Sequence, residues 1–369
     1  MPVLLADDKI PGAREAFGFG GRLQVRAVPA EAIDRALILA ADAEFLVVRS
    51  TVKIDDALVA GTRLGFVGTA TVGVDHIDEQ ALQTRGLTFA SAAGSSAGSV
   101  AQFTIATAHL ALAATGRSLE GATLAVVGAG AIGERVASTA EALGARVIRH
   151  DPPRAAVEAN SRCTSDRALL ASADVVSIHV PLTHGGAHPT EGLVDRAFLD
   201  ELATEAILIN TSRGDIVEES ALLAEAPRPL VLDVFRGEPR PDPRVLQRCR
   251  LCSPHVAGRS LEGMLANTAH IARAIARHLD GPGADCSWRP SLPEPPTITM
   301  PRDDALAFIR TAWSLEEDTR VLKDAPSSFS NLRHRVPLRR DLSAWRDRSA
   351  WAPDLQRFLD ALPTNPDLA

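Results

Sequence analysis

Thr123-Leu-Ala-Val-Val-Gly-Ala-Gly-Ala-Ile-Gly133 is the stretch that decides how this chain is read. An apolar run with β-branched residues meets Gly128, Gly130 and Gly133, and the chain continues as Glu134-Arg-Val-Ala-Ser-Thr-Ala-Glu-Ala-Leu-Gly144. That order predicts strand, tight turn and helix. In such a unit the first glycine permits the turn, the second lets backbone approach a pyrophosphate, and the third lets the helix pack closely on the strand. The helix then points its N-terminal N–H groups and positive dipole end at the phosphates. Ala131 and Ile132 lie in the same turn and are read with the glycines as cofactor-binding positions. The glycine pattern alone also suits a surface turn, and its context separates the two readings. A second strand over Ala145–His150 ends in Asp151, eighteen residues past Gly133, where an acidic side chain is expected to accept from a ribose 2′-hydroxyl. Asp151 favours NAD over NADP because a carboxylate repels a 2′-phosphate. Arg154 is the one nearby residue that argues the other way, unless it is a solvated loop arginine.

Composition bounds the rest. A chain of 369 residues predicts two or three domains with ample core, and 46% hydrophobic with 23% charged residues is ordinary for a soluble globular protein. A formal net charge of −7 argues against nucleic acid as a partner. Only three residues are lysine (Lys9, Lys53 and Lys323), so most of the positive charge is arginine, which suits anion recognition. No stretch approaches the ~20 apolar residues that span a membrane, and no signal peptide opens the chain. Four cysteines make no disulfide framework, and Cys249-Arg-Leu-Cys252 lacks the partner pair that a zinc site needs, so no metal is expected. The expectation is a cytoplasmic protein with reduced thiols.

Along the chain, strands are expected over Pro2–Asp7, Ala43–Arg49, Leu64–Gly68 and Gly86–Ala90, with helical segments over Ala30–Ala41 and Asp55–Ala60. This is a βαβ alternation without a phosphate fingerprint. A long apolar helix from about Ala97 to Ala114 leads to the fingerprint strand. Beyond it, Ala173–Val180, Ala206–Asn210, Leu230–Val234 and Arg250–Cys252 have the apolar character of buried parallel strands. Each ends in a polar or proline-bearing loop, and ligands of doubly wound sheets sit beyond such carboxyl ends. Ser260–Leu279 reads as an amphipathic helix capped by Ser260. Pro290–Pro296 reads as a linker. The remainder is arginine-rich with apolar anchors such as Trp313, Trp345 and Trp351, which suits either a small appendage or a dimerisation domain covered by a partner chain. The last residues, Pro363–Ala369, are expected to be loose.

Three of the loops carry a constellation. Asn210-Thr-Ser-Arg-Gly214 presents Arg213, Asp233-Val-Phe-Arg-Gly-Glu-Pro239 presents Glu238, and Ser253-Pro-His-Val-Ala-Gly258 presents His255. Oxidising a 2-hydroxy acid requires a base for the hydroxyl proton, a hydride acceptor and a cation for the α-carboxylate. Histidine suits the first because it titrates near neutrality, and arginine suits the last through its bidentate fork. A carboxylate behind the histidine fixes its tautomer and favours the imidazolium. Singly, Glu238 could be a turn residue and Arg213 a surface ion pair. Together, after a dinucleotide fingerprint, they point to a dehydrogenase.

The order Gly-x-Gly-x-x-Gly, Asn-x-x-Arg-Gly, Asp-Val-x-x-x-Glu-Pro and Pro-His-x-Ala-Gly resembles the D-isomer-specific 2-hydroxyacid dehydrogenase family. A narrower resemblance, to the branch that oxidises a phosphorylated four-carbon hydroxy acid in pyridoxal 5′-phosphate biosynthesis, rests on several stretches. They are Val48–Lys53, Phe66–Asp78, His150–Arg154 and Pro254–Gly263, with fainter matches over Phe329–Arg335 and Arg339–Trp345. The resemblance implies an α/β protein with two Rossmann-like, doubly wound parallel-sheet domains and a small C-terminal α+β dimerisation domain. Residues 1–95 and 259–285 would form the substrate domain, 96–258 the NAD-binding domain and 290–369 the dimerisation domain. It implies Arg213, Glu238 and His255 as catalytic residues, Asp151, Val180, Asp233 and Gly258 as further cofactor contacts, and Ser50 and Thr71 as substrate contacts. The implied partners are a small phosphorylated 2-hydroxy acid and a second copy of the chain, with neither nucleic acid nor membrane.

Three departures from the family pattern stand out. Val180 replaces a threonine that commonly contacts the cofactor, Ser96 and Gln102 replace asparagine and glutamate, and Arg259 replaces a tyrosine that helps bind substrate. Arg259 is read as a substrate residue that takes over the tyrosine's task by gripping phosphate. The alternatives are a relative acting on 3-phosphoglycerate or glyoxylate, and a non-catalytic NAD-sensing corepressor, against which the intact Arg213, Glu238 and His255 set argues.

Overall fold

In the computed structural model, residues 1–158, 162–224, 228–296, 300–335, 338–345 and 351–368 are described. The chain forms two compact units, one from residues 1–96, 261–293 and 364–369, the other from 97–260 and 294–363.

The first unit is built on strands β1 (Val3–Asp7), β2 (Gln24–Val28), β3 (Ala43–Val48), β4 (Phe66–Thr69) and β5 (Thr88–Ser91), all parallel in the order β2-β1-β3-β4-β5. β2 and the short helix Ala13–Phe17 escape the sequence reading, since Gln24-Val-Arg-Ala-Val28 is a half-exposed edge strand and lacks the apolar run of its buried neighbours. The helical segment expected over Ala30–Ala41 breaks in two. A single 3₁₀ turn covers Ala30–Ala32, and a helix follows over Arg35–Ala40, where the Asp34 side chain accepts from the Leu37 N–H and starts a new N-terminus. The helix Leu261–Asp280 returns to this unit and buries Ile271, Ala272, Ile275 and Ala276 in the cluster that holds Phe45 and Phe66. The chain's end is tied down where looseness was expected. Pro366–Leu368 is a 3₁₀ turn against that helix, with Asp367 hydrogen-bonded to His270 Nδ1 at 3.1 Å and paired with Arg273.

The second unit carries seven parallel strands: β6 (Thr123–Val127), β7 (Arg146–His150), β8 (Cys163–Thr164), β9 (Val175–Ile178), β10 (Ile207–Asn210), β11 (Leu230–Leu232) and β12 (Cys249–Cys252). Their order, β12-β11-β10-β9-β6-β7-β8, reverses direction between β6 and β9, and the crevice beyond the carboxyl ends there is where a doubly wound sheet takes its ligand. The helix Ala97–Ala113 is apolar on nearly every side because it is buried nearly all round.

Residues 294–363 form no third compact body; they belong to this second unit. Their described part is helical, over Ala305–Trp313, Leu315–Asp324, Phe329–Arg333 and Pro353–Ala361, with short 3₁₀ turns and a single isolated bridge between Ser260 and Arg339, where an α+β fold was expected. Trp313 is buried in the same cluster as Phe103 and Val126, with Trp345 and Trp351 packed against it. The tryptophans that suggested a partner chain are therefore covered from within. Gln102 explains one departure from the family pattern. It is fully buried, its Nε2 donates to Ser343 Oγ at 2.9 Å and to Pro363 O at 2.6 Å, and its Oε1 accepts from Ser343 N at 3.2 Å. A glutamate in its place could accept but not donate.

Deleting residues 294–369 should therefore expose the core around Phe103 and leave an aggregating chain without a cooperative unfolding transition. A soluble truncated protein with an unchanged denaturant midpoint, checked by circular dichroism and gel filtration, would contradict this packing.

Candidate active site

The fingerprint turn is built by steric exclusion. A Cβ on Gly133 would stand 2.0 Å from Gly128 O, so the first helical turn can press on the strand only if that side chain is absent. Gly128 has φ +90°, and a Cβ there would meet Val180 Cγ1 at 2.7 Å and the His179 carbonyl carbon at 2.9 Å. Around Gly130 no atom lies within 4 Å of the missing Cβ, so bare backbone is presented at the mouth of the helix Ala131–Ala142. These are the features a pyrophosphate requires, and the turn fits a dinucleotide.

At the end of β7, Asp151 Oδ2 accepts from Ala129 N at 2.9 Å, and Oδ1 accepts from Arg154 N at 3.1 Å, capping the helix Pro152–Val157. The carboxylate thus fixes the glycine turn, and the lone pairs left over are those a ribose hydroxyl would use. Arg154 is not a loose loop arginine. It bonds Glu158 at 2.9 and 2.8 Å and Glu134 at 2.8 Å, and these carboxylates, Glu158 first, hold its guanidinium above the ordinary value. Committed to two acidic partners, it is poorly placed to receive a 2′-phosphate.

The histidine loop hangs from one buried carboxylate. Asp233, just past β11 and 1% exposed, accepts from Ser253 Oγ at 2.6 Å, Val256 N at 2.8 Å and Ala257 N at 2.9 Å, while its carbonyl accepts from His255 N at 2.7 Å. His255 is held at φ 56°, a left-handed conformation unusual for a residue with a Cβ. Its Nδ1 lies 2.8 Å from Glu238 Oε2, and Glu238 Oε1 accepts from Phe235 N at 2.9 Å, so the carboxylate is oriented from both ends. With Nδ1–H donating to Glu238, Nε2 is the ring nitrogen left for a substrate proton.

Arg213 follows β10. Asn210 braces that loop, its Nδ2 donating to Arg213 O at 2.8 Å and its Oδ1 accepting from Ser212. Arg213 Nη1 donates to Ser212 O at 2.8 Å. The next residue sets the spacing between loops, because a Cβ on Gly214 would lie 2.0 Å from the Phe235 carbonyl carbon and 2.2 Å from its oxygen. The arginine loop is thereby seated directly on the backbone that leads to Glu238.

Two residues of this site were not foreseen. His179 follows β9 between the fingerprint and the Arg213 loop, with Nε2 2.8 Å from Ser177 Oγ and Nδ1 3.5 Å from Thr211 Oγ1. Burial pushes its imidazole down to about 3. The sequence signal was a histidine at the end of an otherwise apolar strand. Arg333, from the C-terminal segment, places Nη1 3.7 Å from Glu238 Oε2, and no spacing in the sequence announces that approach.

Of the remaining expected residues, Gly258 ends the histidine loop, and Arg259 donates its N–H to Val256 O at 2.8 Å, close to His255. Ser50 and Thr71 lie in the first unit, just past β3 and β4. Ser50 is exposed, while Thr71 is half-buried, with Oγ1 2.7 Å from Thr69 Oγ1 and donating to Gly73 O at 3.0 Å. Among the described residues no group of acidic, histidine or cysteine side chains could hold a metal, and no helix is long and apolar enough to cross a membrane.

Comparison with known proteins meets this geometry from outside. The profile of the D-isomer specific 2-hydroxyacid dehydrogenase, NAD binding domain, matches residues 99–257, which run from the long apolar helix through the histidine loop. An erythronate-4-phosphate dehydrogenase of Salinibacter ruber is 43% identical over 77% of this chain and 73% of its own length. One from Pseudomonas aeruginosa is 36% identical over 97% of this chain and 98% of its own. The chain belongs to the erythronate-4-phosphate dehydrogenase family. NAD is its cofactor. At the level of fold, an NAD⁺-bound 3-phosphoglycerate dehydrogenase of Entamoeba histolytica superposes with a TM-score of 0.64 at 20% identity, covering 78% of this chain and 99% of that one. The match to the Pseudomonas enzyme includes the C-terminal segment, the part where the motif resemblance was faintest.

Two measurements test this family site. Gly214→Ala forces backbone apart from backbone, with no side chain free to swing aside, so it should cost ~1–3 kcal/mol of stability and lower turnover with it; a variant with the wild-type urea midpoint and rate would refute the seating of the two loops. For His179, the unfolded ring takes a proton below about pH 6.5, while the folded ring resists protonation down to about 3. Between those values the unfolded state binds more protons, so stability is full above about 6.5 and falls as pH drops toward 3. The loss between pH 7.5 and 5 should be smaller in His179→Gln than in the wild type, and equal losses would disprove the assignment.

Proposed function

We propose that the protein oxidises 4-phospho-D-erythronate to (3R)-3-hydroxy-2-oxo-4-phosphooxybutanoate, the step that its family resemblance assigns to pyridoxal 5′-phosphate biosynthesis. The observation that carries the reading is the His255–Glu238 pair, 2.8 Å apart, at the carboxyl ends of the sheet that also bears the glycine fingerprint. NAD, bound at that fingerprint, accepts the hydride that leaves C2. His255 Nε2 takes the C2 hydroxyl proton, and Glu238, fixed by the Phe235 N–H, holds the Nδ1 proton and stabilises the imidazolium that forms. Arg213 grips the α-carboxylate through its fork and orients C2. Asp151 holds the ribose, Val180 and Gly258 border the cofactor through backbone, and Asp233 supports the nicotinamide end while it holds the histidine loop. Ser50, Thr71 and Arg259 serve the substrate.

The same reading takes the protein to act in the cytoplasm as a homodimer, through its C-terminal segment. Support for the dimer is the resemblance of Phe329–Arg335 and Arg339–Trp345 to the family's dimerisation motifs.

The test is absorbance at 340 nm with purified protein, NAD and a panel of phosphorylated and plain 2-hydroxy acids, where 4-phospho-D-erythronate should give the highest kcat/KM. His255→Ala should lower turnover by about 10²–10⁴ while NAD titrates as in the wild type. Near-normal turnover in that variant would remove His255 from the mechanism.

A further inference from the structure

The C-terminal motifs have so far found a place in the core but no task in the chemistry. Their arginines converge. Arg333, Arg335, Arg339 and Arg340 of that segment, with Arg259 from the end of the histidine loop and Asp318, line one pocket of about 230 Å³. Five guanidinium groups against one carboxylate leave a local excess of four positive charges, in a chain whose formal net charge is −7.

The pocket is held in shape by contacts that position its cations. Arg339 lies over the rings of Phe103 and Trp313, 4.8 and 4.6 Å from their centroids, and donates to Ala257 O. Arg340 is 7% exposed, and its carbonyl accepts the Trp313 indole N–H at 2.8 Å. Arg335 pairs with Asp318 at 2.7 Å. The pocket also adjoins the proposed chemistry. Val256, the neighbour of His255, lines its wall, and Arg333 reaches to 3.7 Å from Glu238 Oε2.

Gathering cations at this density is unfavourable unless an anion offsets their repulsion. Guanidinium forks match phosphate oxygens two at a time, and a phosphomonoester carries about −1.5 to −2 charges at neutral pH. The volume suits a phosphoryl group on a short carbon chain and is below the ~300 Å³ at which pockets for larger ligands begin.

We propose that this pocket binds the dianionic phosphate of a phosphomonoester, with Arg259 and Arg333, on its His255 side, as direct ligands. The phosphate comes either from the substrate itself, which rests on the function proposed above, or from a separate small phosphomonoester.

The experiment is calorimetric titration of inorganic phosphate into the full-length protein loaded with NAD, for wild type, Arg259→Gln, Arg333→Gln and Arg259→Lys, each first shown to unfold cooperatively. Phosphate should bind the wild type and lose about tenfold or more in affinity in either glutamine variant, since each removes a charge-assisted contact. Arg259→Lys should recover part of the loss. Steady-state inhibition then separates the sources. Competition between phosphate and 4-phospho-D-erythronate, with KM rising in step with the lost phosphate affinity, assigns the pocket to the substrate's own phosphate. Binding without competition assigns it to a separate phosphomonoester. Equal phosphate affinity in wild type and both glutamine variants, or no binding to any, overturns the proposal. If Arg333→Gln does not fold, Arg259→Gln decides it alone. Phosphate binding lost in the variants, in a protein that reduces no NAD with 4-phospho-D-erythronate, would uphold the pocket and reject the function.

Discussion

The structure around the reacting groups depends on the carboxylate of Asp233. The loop from Ser253 to Ala257 has no helix or sheet to satisfy its N–H groups, and a buried N–H without an acceptor costs about 1–3 kcal/mol. Asp233 accepts from two of those N–H groups and from the Ser253 hydroxyl, while its own carbonyl takes the N–H of His255. These bonds hold His255 at a positive φ that it would not adopt unaided, and from there its ring meets Glu238. One buried charge therefore sets loop shape, side-chain direction and the partner of the base. Its role is architectural before it is chemical.

A second dependence runs through the C-terminal segment. The sequence reading set it apart beyond a proline-rich linker, yet it packs into the same core as the fingerprint strand, through Trp313, Phe308 and Phe358. Gln102 bonds it from inside the long apolar helix, and Arg339 stacks on a ring from that helix while donating to the histidine loop. The segment is thus continuous with the catalytic half of the molecule. This gives a physical reason for arginines so far along the chain to come close to Glu238.

Charge is arranged with similar economy. Arg154, the residue that argued for NADP, is held by Glu134 and Glu158. His179 stays neutral through burial beside the glycine turn, so it adds no cation there. Positive charge is concentrated instead in the arginine pocket beside Val256.

The sequence by itself determined the doubly wound parallel sheet, the glycine turn and the three loops of Arg213, Glu238 and His255. Apolar β-branched runs, glycine spacing and polar strand ends are local signals, and each reflects a constraint within a few residues. It missed β2, whose edge position needs only one buried face, and it misread the tail, whose apolar residues say that they will be covered but not by what. Only the tertiary structure decided that Trp313 and Trp345 are covered within the chain, that Asp151 caps a helix as well as facing the ribose position, and that Asp367 pins the last turn. It alone brought Arg259 and Arg333, seventy-four residues apart, to one pocket wall. Contacts at that separation are set by the shape of a packed core, which no local pattern records.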